Sequence, residues 1–480
     1  MAVITTRLGR LEGVTLTGGI ERFTGVPYAE APIGALRFRE AQERTPWAGI
    51  RDATRPGPTS PQAEVDNPLH RRLAASGWVR GDDTLNLNVW TADRSGAAPV
   101  CVWIYGGAFK EGNGLLPLYD GAAFARDGIV AVSIQYRVGL DGFGLFEGGP
   151  ANLGLRDQVA ALRWVRDHIA DFGGDPGRVT VFGQSAGGAS VARLLSAPAV
   201  RGLIHRGINQ SGPVWTGIEP EQALRTTHAV ARCLGIPATP EALAAVPEEV
   251  LLAATLDVAG RPGDPGSGSH PLSVVADPDF PAVPAFADAA VPVLAGFCSD
   301  EFGLFSSPDP DLDRAAAVAE LKEPGSEDLL DALHDALPAA GWGTLVRKVR
   351  EHDLFVGPLL DWMRDAAAAG VPVHGYEFGW RTRALDGAPG ACHNLELPFV
   401  FDLLDREHVT DLTGPEPPRA LADRMHGDWV RFMRDGLVDG RRADGTTESL
   451  QVYDGGDEHP RTTGTVDAVC RAHVRGARIA

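Results

Sequence analysis

The chain has 480 residues, 44% hydrophobic and 22% charged, with 58 glycines and 36 prolines, a globular composition long enough for a large core. Its formal net charge of −19 argues against nucleic acid and anionic membranes as partners. No window approaches about 18 uninterrupted apolar residues, so no membrane span is expected.

No repeat, like-charge block or low-complexity linker divides the chain, and residues 1–480 are read as one domain. Met1 to Gly13 carries Thr5, Thr6, Arg7, Arg10 and Glu12 with no apolar segment, so no signal peptide is expected. The five cysteines (Cys101, Cys233, Cys298, Cys392, Cys470) are odd in number and show no Cys-x-x-Cys or zinc spacing. They read as free thiols, with Cys101 and Cys298 in the core, and a cytoplasmic protein is the expectation.

In chain order, Val14 to Ala29 holds two short strand-like pieces around Gly18-Gly19, which predicts an antiparallel hairpin. Residues 58–83 are polar and irregular, a length that suits a rim or lid loop. Leu85 to Trp90 alternates apolar and polar, the pattern of a half-buried strand. Val100 to Tyr105 is apolar throughout and runs into Gly106-Gly107-Ala108-Phe109. Glycines directly after a buried strand let the backbone approach whatever lies at the strand end. Ile129 to Gln135 is another apolar strand. Asn152 to Phe172 spaces Leu155, Val159, Leu162, Val165 and Ile169 by three and four residues, a long helix that Gly173-Gly174-Asp175-Pro176 stops.

Next comes the stretch around which the chain is organised. Val179 to Phe182 reads as a buried strand and Ala189 to Leu195 as a helix, and between them Gly183 and Gly187 flank Ser185 as Gly-x-Ser-x-Gly. A serine on a sharp strand-to-helix turn sits at strained angles, and the turn closes only if its neighbours lack side chains. The helix that follows aims N–H groups at developing negative charge. The alternative is a glycine-rich turn with an incidental serine. Strand, helix and strand in this order make a parallel crossover, which predicts a doubly wound α/β sheet.

Further on, residues 203–212 read as a strand, 219–254 as helical, and 261–270 as a mobile Gly/Pro/Ser-rich loop. Val291 to Phe297 is an apolar strand ending in Cys298-Ser299-Asp300-Glu301-Phe302-Gly303. Residues 311–369 are helical with proline breaks. Val371 to Phe378 is the last clear strand, and helices near Leu421 to Gly436 close the fold.

A serine hydroxyl needs a positioned base, and the base an orienting acid. On this type of sheet the chain order is Ser, then Asp or Glu, then His. Of thirteen histidines, His393, His408, His426, His459 and His473 follow the last clear strand. Only His393 lies on the Gly/Ala/Pro-rich loop directly after it, whereas His408 and His426 read as helical surface positions and His459 and His473 as tail. The acid is Asp300 or Glu301, and spacing alone does not separate them.

These segments together resemble the type B carboxylesterase (cholinesterase-like) family, especially its bacterial para-nitrobenzyl-esterase-like members. The resemblance spans nearly the whole chain. It rests on Phe23-Thr24-Gly25-Val26-Pro27-Tyr28-Ala29, Pro32, Leu36-Arg37-Phe38, residues 83–90 and Asn152-Leu153-Gly154-Leu155-Arg156-Asp157-Gln158. It rests equally on residues 172–176, Phe182-Gly183-Gln184-Ser185-Ala186-Gly187-Gly188, Gln210-Ser211-Gly212, residues 300–303 and residues 393–401. The resemblance implies an α/β-hydrolase fold: a large, mostly parallel sheet with antiparallel N-terminal strands, helices on both faces and insertions forming a gorge. By matching position it implies Ser185, Glu301 and His393 as the triad. It also implies Gly107, Ala108 and Ala186 as backbone donors to an oxyanion, Ser211 as a hydroxyl supporting the triad, and Trp215 near the acyl pocket.

Four positions depart from that family. Ser60 and Thr84 stand where a disulfide often ties the 58–83 loop, Tyr105 replaces the usual His before Gly-Gly, and Phe302 interrupts Asp-Glu-Gly. The chain is also short between Phe305 and Asp353. The function implied is hydrolysis of small-molecule carboxylic esters through an acyl-enzyme, with no metal or organic cofactor. A monomer or small homo-oligomer is expected. The sequence leaves open amide or carbamate hydrolysis, acyl transfer, and a non-catalytic cholinesterase-like binding domain. Within the resemblance, Ala108 after Gly106-Gly107 implies tolerance of bulky alcohol groups.

Overall fold

The computed structural model describes all residues except 64–76, 215–216, 261–271, 282–290, 307, 322–324, 439–441, 457–461 and 478–480. Among the described residues twelve strands join in one sheet: β1 (Ala2–Thr5), β2 (Arg10–Thr15), β3 (Glu21–Pro27), β4 (Ile50–Asp52), β5 (Asn86–Thr91), β6 (Ala98–Ile104), β7 (Val130–Ile134), β8 (Gly174–Gln184), β9 (Arg206–Gln210), β10 (Val293–Cys298), β11 (Val373–Phe378) and β12 (Gln451–Tyr453). The order is β1-β2-β3-β5-β7-β6-β8-β9-β10-β11-β12, with β4 on β2. From β1 to β7 successive neighbours in that order are antiparallel, and from β7 to β12 they are parallel. This is the mixed, mostly parallel α/β sheet expected from the sequence, with the Val14–Ala29 hairpin formed by β2 and β3.

Helical crossovers cover both faces of a parallel sheet, so its central strands read as continuous apolar runs. Accordingly β7, β10 and β11 are buried at every position. Trp103 on β6 and Phe182 on β8 meet Phe401 at ring-centroid distances of 5.0 and 5.7 Å, which ties the segment after His393 to the middle of the sheet. The face of β10 packs Val293 and Phe297 against Leu359, Leu360 and Met363 of the Gly357–Ala368 helix. A separate apolar cluster (Leu330, Leu333, Leu345, Val346, Val349, Val466) joins the helices Ser326–Ala336, Trp342–Glu351 and Thr463–Ala477.

Four expectations need correction. β5 is buried throughout rather than half-buried, because its polar side chains find partners inside: Asn86 donates to Pro58 O and Asp83 O, Thr91 to Phe172 O, and Asn88 is held from both flanking strands. Asn88 accepts from Gly25 N at 3.1 Å and donates to Ser133 Oγ at 3.1 Å. β11 is not the last strand, since β12 adds three residues at its edge, too short a run to stand out as a pattern. Residues 219–254 divide into helices Pro220–Leu234, Pro240–Ala244 and Glu248–Gly260; Gly235 closes the first in a left-handed cap. His426 is 4% exposed rather than on the surface, with Nδ1 against Val400 O at 2.7 Å and Nε2 against Asp127 at 2.9 Å. The 261–270 loop and half of the 58–83 loop (residues 64–76) lie outside the described residues.

Candidate active site

Main-chain atoms impose the steric demand of Gly-x-Ser-x-Gly. β8 ends at Gln184, the helix Ala186–Ser196 starts two residues later, and Ser185 between them sits at φ 58°, ψ −126°. Such a conformation costs about 1–3 kcal/mol in a residue with a side chain. A Cβ on Gly183 would lie 2.5 Å from the Gly187 carbonyl, and one on Gly187 would lie 2.0 Å from Ile104 O. Gly187→Ala is therefore expected to destabilise the fold by at least about 1–3 kcal/mol, read as a lower urea midpoint.

The turn after β6 rests directly on this elbow. A side chain on Gly106 would strike Gln184 O and Ser185 Cβ, both at 2.8 Å. Gly107, Ala108 and Phe109 all take positive φ (110°, 53° and 61°), and Gly107 O accepts from Lys110 N at 2.9 Å. Gly107, Ala108, Ser185, Gln184 and His393 line one cavity of about 90 Å³. Ala186 is the first residue of its helix, a position whose N–H has no acceptor inside the helix.

His393 is 2% exposed and Glu301 fully buried. The imidazole Nδ1 is hydrogen-bonded to one Glu301 carboxylate oxygen, and the other oxygen accepts from Cys298 N at 2.8 Å. Since the carboxylate accepts from Nδ1–H, the neutral ring carries its lone pair on Nε2. That atom lies 2.9 Å from Gln184 Nε2, an amide donor. Among the described residues no hydrogen bond joins Ser185 Oγ to His393, so the carboxamide holds the imidazole lone pair. Phe305 and Phe355 flank the ring at centroid distances of 5.3 and 5.0 Å. Phe355 comes from a π-helical turn, His352–Val356, a distortion common at functional sites.

Asp300 makes different contacts from its neighbour. It accepts from Lys348 Nζ at 2.9 Å, Arg381 Nη1 at 2.5 Å and Ala391 N at 3.0 Å. Burial by itself would raise its carboxyl, but Lys348 and Arg381 outweigh burial and hold it at about 2. Of the two adjacent acids, Glu301 is the one hydrogen-bonded to His393.

Ser211, directly after β9, sits at φ 49° and donates its N–H to Gly296 O at 2.7 Å, while its Oγ is buried without a hydrogen-bond partner among the described residues. Trp215 lies outside the described residues. Tyr105 stacks on Tyr136 at 4.5 Å, and Phe302 extends the aromatic wall, 5.8 Å from Phe305 and 6.0 Å from Phe355. Ser60 Oγ accepts from Val138 N at 3.2 Å, and all five cysteines are free thiols.

Gln184, Phe305, Phe355 and Glu396 are the residues at the site that sequence reasoning missed. Gln184 stood in view as the residue before Ser185. Phe355 carried no signal, being one apolar residue in a helical run. Glu396 is fully buried and accepts from Cys298 Sγ at 3.1 Å and Gln210 Nε2 at 3.4 Å. Burial, reinforced by the Glu301 charge, pushes its carboxyl up to about 7, so it adds little negative charge beside the pair below that pH.

The family model described as "Carboxylesterase family" matches residues 1–460. Phenmedipham hydrolase of Pseudarthrobacter oxydans is 36% identical over 467 residues, which span 93% of this chain and 91% of that protein. Para-nitrobenzyl esterase of Bacillus subtilis is 34% identical over 457 residues, 90% of each chain. The crystal structure of a Geobacillus stearothermophilus carboxylesterase superposes with a TM-score of 0.78 at 33% identity, covering 98% of this chain and all of that one. A para-nitrobenzyl esterase structure superposes equally well, with a TM-score of 0.78 at 30% identity over 97% of this chain and 98% of its own.

Proposed function

This chain belongs to the carboxylesterase family and is an ester hydrolase, and we propose that it works through a covalent acyl-enzyme formed on Ser185. The observation that carries this reading is the His393 imidazole, held by Glu301 with its lone pair on Nε2, bordering the same cavity as Ser185. When substrate enters, the Gln184 amide yields that lone pair to the Ser185 hydroxyl; catalytic hydrogen bonds commonly tighten only in the complex. Ser185 Oγ attacks the ester carbonyl as His393 Nε2 takes its proton, and Glu301 stabilises the imidazolium. The N–H groups of Gly107, Ala108 and Ala186 receive the oxyanion, each worth roughly 10²–10³ in rate. His393 then protonates the leaving alcohol, and water repeats the sequence on the acyl-serine. Ser211, beside β8 at the end of β9, supports the triad from behind, and Trp215 contributes to the acyl pocket.

Labelling with an organophosphonate tests the assignment. One adduct per chain on the peptide containing Ser185, with loss of esterase activity in proportion, is the expected outcome; labelling elsewhere, or none, overturns it. Para-nitrobenzyl esters and phenmedipham are the first substrates to assay, after the names of the two relatives, alongside matched amides. Turnover of tertiary-alcohol esters tests the tolerance that Ala108 implies. Free thiols, four of the five buried, support a cytoplasmic setting. Among the described residues no helix is long and apolar enough to cross a membrane.

The Gln184 contact makes a pH prediction. In Gln184→Glu a carboxylate replaces the amide 2.9 Å from Nε2, and an opposite charge at that range favours the imidazolium by about 1–3 pK units. The base must be neutral to work, so the acid limb of the kcat/KM profile moves to higher pH. A pH–rate profile on one ester reads the shift, and an unmoved limb would remove His393 as the base.

A further inference from the structure

A second cleft, of about 710 Å³, shares no lining residue with the cavity at Ser185. Its volume falls within the range of small-molecule sites. The connection between the helices Ser326–Ala336 and Trp342–Glu351 supplies apolar wall through Leu337 and Pro338, and Leu345 of the second helix extends it. Arg347, Lys348 and Arg381 bring three cations to the same cleft. Asp300 engages Lys348 and Arg381 by hydrogen bonds, but Arg347 is left short. Arg347 is 8% exposed, and its Nε and Nη1 are buried with no hydrogen-bond partner among the described residues. Its nearest carboxylates are Glu351 at 3.5 Å and Asp300 at 3.6 Å, beyond good hydrogen-bond length. Buried donors without acceptors are costly and call for a partner.

We propose that this cleft is a binding site for a monocarboxylate with an apolar body, its carboxylate on Arg347 and its body against the Leu337–Leu345 wall. A planar carboxylate matches the guanidinium fork. Asp300, Asp386 and Asp454 also line the cleft, so a doubly charged phosphate ester meets more repulsion than a singly charged acid. The class is the same as that of the acid an ester hydrolase releases. The site also adjoins the arm that carries Glu301. Lys348 Nζ donates to Ser299 O at 2.7 Å and pairs with Glu351 at 2.9 Å, and Glu351 accepts from Phe302 N at 3.2 Å. These bonds brace both sides of Glu301, so a carboxylate drawn into the cluster bears on its position.

Octanoate is the probe, titrated calorimetrically into the full chain with and without organophosphonate on Ser185. Binding is read without turnover, so the result stands apart from the Ser185 chemistry. Octanoate is expected to bind both forms with the same Kd. The affinity should fall at least about tenfold in Arg347→Gln, the loss of a charge-assisted contact. It should fall likewise in Ala339→Trp, a change at an exposed rim position of the cleft that keeps the test valid if the buried Arg347 variant does not fold. Octanol and octyl phosphate are expected to bind more weakly. The proposal is overturned by absence of saturable binding, by loss of binding on phosphonylation, by unchanged affinity in Ala339→Trp, or by tighter binding of octyl phosphate.

Discussion

Ser185→Ala is expected to lower kcat for para-nitrophenyl esters by about 10⁴–10⁶ and to abolish the acyl burst. The size follows from what the remaining groups can do. Without Oγ, the imidazole and the oxyanion donors can only assist a water molecule, and the residual rate reflects binding and charge stabilisation alone. The fold should be untouched, because the elbow is held by main-chain contacts: Ser185 N donates to Gln210 O at 2.9 Å, and Ala189 N to Ser185 O at 2.9 Å. Alanine at φ 58° meets the same backbone strain as serine. A series from acetate to decanoate on both proteins, with circular dichroism to check folding, separates a lost nucleophile from a lost fold. A variant that keeps the burst would show that the acyl-enzyme forms elsewhere.

The adjacent acids should respond in opposite ways. Glu301→Gln is expected to cost about 10⁴ in kcat with a small change in stability. Cys298 N–H donates to one Glu301 oxygen, so the new amide would keep its oxygen there and present NH₂ to His393 Nδ1. The lone pair then moves to Nδ1, the proton to Nε2, and the ring can no longer accept from Ser185. Asp300→Asn should instead keep the tautomer and lose stability, by about 3–5 kcal/mol, since one partner of a buried ion cluster is removed while Lys348 remains. The pH dependence follows from sign. The Asp300 carboxyl is held at about 2 when folded, below the ordinary value of about 3.9. Its contribution is therefore full above about pH 4 and is lost as pH falls toward 2. Urea midpoints of wild type and Asp300→Asn should converge over that window and stay apart at neutral pH.

The sequence by itself determined what local sterics and periodicity govern. Gly183, Ser185 and Gly187 announce the elbow because a Cβ at either glycine meets main chain. The apolar runs at β6, β7, β8 and β10 announce a parallel sheet because strands covered on both faces have no polar side to show. The position of His393, on the loop after β11, followed from chain order. Only the tertiary structure decided matters that depend on distant segments meeting. Asp300 and Glu301 are indistinguishable by spacing, and their contacts differ because Lys348 and Arg381 take one carboxylate and His393 takes the other. Asn86 and Asn88 look like the wet face of a strand until Asn88 meets Gly25 and Ser133 on the neighbouring strands and Asn86 donates to Pro58 O and Asp83 O. The Gln184 amide on Nε2, Phe355 beside the ring and the Arg347 guanidinium, with Nε and Nη1 short of acceptors among the described residues, all arise where side chains from separate elements converge. Their energies are set by who stands opposite, and no single segment of the chain encodes that.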